Sequence, residues 1–147
     1  MFMKIRITDI QGFEKRKSQK LPLFLTNVPA GFPSPADDFI DRKLDLNEYL
    51  VQHPAATFFV RVEGDSMTGA GIHSGDILVV DRALEPTDKK IVIANVEGEL
   101  TVKRIRCDNG KLCLAAENPE YDSIEISGEQ DNDFIVWGVV THVLHPV

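Results

Sequence analysis

From Phe58 to the C-terminus the chain is a succession of short runs rich in Val, Ile and Phe, each closed by a turn signal, and no other feature restricts the fold as much. The runs are "TFFVRVEG", "DILVVDR", "KIVIANV", "ELTVKRIR", "KLCLAAE", "SIEIS" and "FIVWGVVTHVL". Between them stand "GDSMTGAGIHSGD", "EPTDK", "EGE", "CDNG" and "ENPEYD", built from the Gly, Pro, Asn and Asp that punctuate strands. Seven short strands joined by tight turns predict a compact, mostly antiparallel β domain. "NVEGELTV" predicts a hairpin with Gly98 in its turn. A chain of 147 residues has room for one such domain and an extension.

The extension lies at the N-terminus. Residues 1–27 mix charged and apolar side chains with no clear period. Prolines at 22, 29, 33 and 35 oppose helix and favour extended backbone. In "LDLNEYLVQHP", Asp45 predicts a helix N-cap, Glu48 completes a capping box, and Pro54 closes a helix of about two turns. Within "VPAGFPSPADDF", Ala30 and Gly31 put the least bulky peptide bond of the region into an extended, proline-flanked segment. Such a segment is either a linker or a bond built to be cut.

Charge separates the two parts. Residues 1–30 hold six basic side chains against two acidic ones, a surplus of +4, so the other 117 residues carry −11 of the net −7. A body this acidic is a poor match for a phosphate backbone and excludes strong direct DNA binding. The contrast also predicts that a basic arm packs partly by charge on the acidic body. Cys107 and Cys113 are too few for a secreted disulfide framework and read as buried free thiols of a cytosolic protein. No metal or cofactor is expected: His53, His73, His142 and His145 lack zinc-ligand spacing. No apolar run reaches the ~20 residues of a membrane span, and the N-terminus lacks the apolar core of a secretory signal, so the expected location is the cytoplasm.

The chemistry concentrates in "VEGDSMTGAG", where Gly64 and Gly69 bracket Ser66 just after a strand. A glycine-flanked turn can present a hydroxyl beside free backbone N–H groups, as an oxyanion hole requires. The same pattern also serves as a plain structural turn. A nucleophilic Ser66 needs a base, and no histidine has a matching signature; His73 in "GIHSGD" is expected to face solvent. The other choice is a Ser-Lys dyad, with Lys103 interrupting the strand "ELTVKRI". A lysine titrates near ~10.4, so only about one in a few thousand is neutral at pH 7. Lowering that value by about three pH units costs roughly 4 kcal/mol, which burial can supply. Alternation sets Lys103 with Thr101 and Ile105, and both faces of the strand are mixed, so spacing leaves its burial open.

"GFPSPA", "LDLNEYLVQHPAATFFV", "GDSM", "SGDILVVDRA", "IVIA" and "GELTVKR", in that order over about residues 30–145, together resemble the LexA/UmuD-type self-cleaving Ser-Lys peptidases, the UmuD type above all. The resemblance implies the β-rich C-terminal fold of that family with a short helix and an extended N-terminal arm. It implies that Ser66 is the nucleophile and Lys103, held neutral, the general base. The oxyanion would rest on the N–H of Ser66 and of a neighbouring turn residue. The bond cut would be Ala30–Gly31, where Ala replaces the Cys common in UmuD-type sequences, as in LexA-like ones. Residues 1–30 would then be an arm removed by self-cleavage, and residues 31–147 a peptidase and interaction domain. The implied partners are a second copy in a homodimer, the RecA filament on single-stranded DNA that stimulates cutting, and a UmuC-type Y-family DNA polymerase in SOS translesion synthesis.

Three other readings compete. A LexA-like repressor needs a DNA-reading domain, for which the residues before the cut leave no room. A signal peptidase shares Ser-Lys chemistry but needs a membrane anchor. A non-catalytic polymerase-binding module would carry the same residues without using them.

Overall fold

The computed structural model describes residues 5–14, 20–24, 40–126 and 134–147. Two compact units emerge: Met1–Phe13 with His53–Val147, and Glu14–Gln52. In the smaller unit β2 (Lys20–Phe24) pairs antiparallel with β3 (Ile40–Asp45), and α1 (Leu46–Leu50) follows at once. The Asp45 carboxylate caps α1 by accepting the Asn47 N–H at 2.9 Å. The helix is shorter than its expected two turns. Val51 takes an extended φ of −123° and ends it, and Pro54 opens a 3-10 turn, Pro54–Ala56, instead of closing the helix.

The larger unit is one eight-stranded antiparallel sheet in the order β1-β4-β5-β10-β6-β7-β8-β9. Its strands are β1 (Arg6–Gly12), β4 (Thr57–Glu63), β5 (Ile77–Asp81), β6 (Ile91–Val96), β7 (Glu99–Asp108), β8 (Lys111–Ala115), β9 (Ile124–Ile126) and β10 (Phe134–Leu144). All seven runs read from the sequence are strands, and the fold is the expected mostly antiparallel β domain. The β6–β7 hairpin turns on Glu97 and Gly98, with φ of 53° and 82°. Two successive positive φ values are the signature of a type I′ turn, which matches the twist of the flanking strands. Asn109 and Gly110 repeat it between β7 and β8.

Strand β10 joins the two halves of the sheet. Its first part pairs with β6 and its second part with β5, with register shifts between Val136 and Gly138 and between Val140 and His142. A Cβ on Gly138 would lie 2.6 Å from Val80 Cγ1, so the strand can pass there only as glycine. One buried cluster unites Ile5, Val60, Val62, Met67, Ile72, Leu78, Val80, Ile93 and Val102. A second, with Val92, Ala94, Ile105, Leu114 and Val139, lies on alternate residues of β6 and β7 and so occupies the other face of those strands.

Strand β1 is absent from the sequence reading. Apolar residues fall at 5, just before it, and at 7 and 10 within it, and the register against β4 slips between Ile7 and Asp9. A bulge at Thr8 thus breaks the period of two that would have betrayed a strand. The thiols also differ from expectation: both are free, but Cys107 is exposed and Cys113 half-buried. Cys113 stands between Arg106 and Glu125 on the neighbouring strands, a polar face where burial is not on offer.

Candidate active site

Strand β4 delivers the chain to Gly64, whose φ of 114° only glycine tolerates, and the backbone turns there into Asp65, Ser66 and Met67. Ser66 is wholly buried, 0% exposed. Its Oγ accepts a hydrogen bond from the Ile5 N–H at 3.0 Å. Gly69 serves a different need from Gly64. Its N–H donates to the Glu117 carbonyl at 2.7 Å, and a Cβ there would come within 2.6 Å of that oxygen. The two glycines bracket the serine as the sequence suggests, one for its φ and the other for close approach.

Lys103 lies in the middle of β7, opposite Val92 of β6, and is 2% exposed. Thr101 and Ile105, its companions by alternation, are buried as well. The surface position that spacing left open is therefore excluded. Burial of this depth penalises an ammonium group, which is the condition that a lysine base must meet.

The segment Glu117–Tyr121 fastens these two elements, and nothing local in the sequence singles it out. Its Glu117 N–H points at Met67 Sδ, 3.4 Å away, and its carbonyl holds Gly69. The Glu117 carboxylate pairs with Arg104 and, at 3.1 Å, with Arg106. One residue therefore touches the neighbour of Ser66 and the neighbour of Lys103. Asn118 Nδ2 donates to the Asp65 carbonyl at 2.8 Å, and the Tyr121 hydroxyl donates to Asp65 Oδ1 at 2.6 Å. Partial desolvation of the half-buried ring, then the hydrogen bond and negative charge of Asp65, push the Tyr121 phenol up to about 12. In the sequence "ENPEYD" reads only as a turn between strands; its polar contacts span some fifty residues and leave no periodic trace.

The histidines are engaged elsewhere. His53 meets Asp81 at 2.6 Å, His145 meets Asp76 at 2.6 Å, and the exposed His73 packs its ring on His145. His142 contacts the Thr141 hydroxyl. Within the serine turn, the Thr68 and Gly69 N–H groups are committed to the carbonyls of Asp65 and Glu117. Ala30 and Gly31 lie outside the described residues. Among the described residues no helix is long and apolar enough to cross a membrane.

Comparison with known proteins follows the same line. The chain matches the Peptidase S24-like family over residues 22–141. It is 47% identical over 124 residues to Protein SamA of Salmonella typhimurium, covering 84% of each chain. It is 43% identical over 148 residues to Protein MucA of Escherichia coli, covering 99% of this chain and 98% of that one. Identity to the LexA repressor of Pseudomonas chlororaphis is 34% over 135 residues, 92% of this chain and 66% of the repressor.

Proposed function

Because the chain belongs to the Peptidase S24-like family, we propose that it is a self-cleaving serine peptidase of the SOS response that cuts Ala30–Gly31 with Ser66 and Lys103. The observation that carries this reading is a lysine sealed from solvent at 2% exposure, on a strand tied through Glu117 to the turn that holds Ser66.

The neutral amine of Lys103 takes the Ser66 hydroxyl proton as Oγ attacks the Ala30 carbonyl carbon. The tetrahedral oxyanion is held by backbone N–H groups of the serine turn, that of Ser66 and a neighbour. On collapse the carbon–nitrogen bond breaks, the proton passes from Lys103 to the Gly31 amine, and the acyl group stays on Ser66 until water releases it. Small side chains at 30 and 31 let an extended backbone reach the serine without collision.

The product, residues 31–147, would act as a dimer with a UmuC-type Y-family polymerase in translesion synthesis. A RecA filament on single-stranded DNA would stimulate cutting by favouring the cleavable arrangement. The similarity to SamA and MucA over most of the chain supports this reading over a repressor. The LexA repressor extends well beyond the matched region.

The test is mass spectrometry of the full chain after incubation at pH 7 and at about pH 10, beside Ser66→Ala and Lys103→Ala. The expected result is a single cut at Ala30–Gly31 that speeds up as alkali supplies the neutral lysine and that neither variant makes. No cut at either pH, nor with an added RecA filament, would sink the proposal.

A further inference from the structure

The N-terminal strand holds the nucleophile. Strand β1 runs antiparallel to β4 with Arg6 opposite Glu63, so its leading end points at the turn that carries Ser66. Ile5, the residue before β1, places its amide nitrogen 3.0 Å from Ser66 Oγ. That N–H donates to the oxygen that would attack, so β1 occupies the approach to Ser66 and engages a lone pair that a nucleophile must offer to a carbonyl carbon. The Ile5 side chain is 1% exposed and packs in one cluster with Val60, Val62 and Met67. Backbone pairing along a strand edge with an aliphatic side chain in an apolar pocket is a familiar mode of extended-peptide recognition.

Resting on the peptidase reading, we propose that the edge of β4 leading to Ser66 is a binding site for extended peptide with an aliphatic residue at the serine. Strand β1 is its resident occupant, and any segment to be cut must first displace it. Two segments of one chain then compete for one groove, and the rate of cutting scales with the fraction of molecules in which β1 has let go. The hold is suited to release. Every residue of β1 except Ile7 is exposed, the ladder is broken by a bulge at Thr8, and the Arg6–Glu63 pair at 3.0 Å is open to solvent. Poorly buried edge elements of this kind open well below the free energy of global unfolding.

A reversible staple tests the competition. In the full chain with Cys107→Ser and Cys113→Ser, Arg6→Cys and Glu63→Cys join cross-strand partners whose side chains already meet at the surface. The expected result is self-cleavage at least about tenfold slower in the oxidised than in the reduced form, with Ile5→Ala cutting about tenfold faster than the parent. Measurable cutting at equal rates in the oxidised and reduced forms overturns the proposal. Labelling of Ser66 by a small fluorophosphonate separates this inference from the reading it rests on. Labelling in the reduced form but not the oxidised one upholds the competition even if the chain never cuts itself, an outcome that would sink self-cleavage alone. Equal labelling in both forms, or none in either, overturns the competition.

Discussion

At the scale of single residues, the site depends on a hydroxyl and an amine that the fold withdraws from water and on side chains that fix them without reacting. Tyr121 shows how the second group works. Its hydrogen bond to Asp65 holds the residue next to the nucleophile, and partial desolvation and the Asp65 charge raise its phenol from 10.0 to about 12. A raised value means that the neutral, hydrogen-bonded phenol is the form the fold prefers. The stability it contributes is present below pH ~10 and is lost as pH climbs from there through about 12. Ultraviolet titration of the phenolate should therefore show one tyrosine ionising late, with a midpoint near the raised value, and Tyr121→Phe should remove that step. A single phase at the ordinary tyrosine value in both proteins would refute the contact. The result bears on the peptidase test, because the clamp on Asp65 then outlasts the moderate alkali that deprotonates a lysine.

At the scale of elements, the hairpin end formed by β7 and β8 leaves the core, and its two cysteines go with it. Native protein treated with a thiol reagent should react first at the exposed Cys107 and more slowly at the half-buried Cys113, with no denaturant needed. Two unreactive thiols would mean that this edge is covered in solution. The strands after Phe58 were legible because β-branched runs and Asn-Gly or Glu-Gly turns write hairpins locally, as at Asn109–Gly110 and Glu97–Gly98. The glycine-bracketed turn around Ser66 was legible as a turn, but alternation left the burial of Lys103 open, and only the family resemblance singled out the two as a candidate pair. Strand β1 was not, because the bulge at Thr8 moves its apolar residues from a spacing of two to three. The grip of Glu117, Asn118 and Tyr121 on the serine turn was not legible either. Contacts between polar groups so far apart in the chain depend on how the sheet brings its strands together, which no local window records.

At the scale of the whole molecule, the +4 arm and the −11 remainder suggest docking by charge, yet the contacts described for the arm are of another kind. A backbone ladder, a buried Ile5 and a solvent-exposed Arg6–Glu63 pair hold β1, and exposed pairs are worth little. Amide exchange of β1 in Ser66→Ala protein should therefore change little between low salt and about 1 M salt, where charges are screened beyond ~3 Å. Protection that collapses in high salt would restore the charge explanation. The place of β1 in the chain has a last consequence. It precedes residue 30, so the proposed cut would discard the guard along with the leaving piece, and the molecule could not be reset. It would behave as a fuse: each chain can lose that bond once, and the number of cut copies is a running tally of the signal that released them.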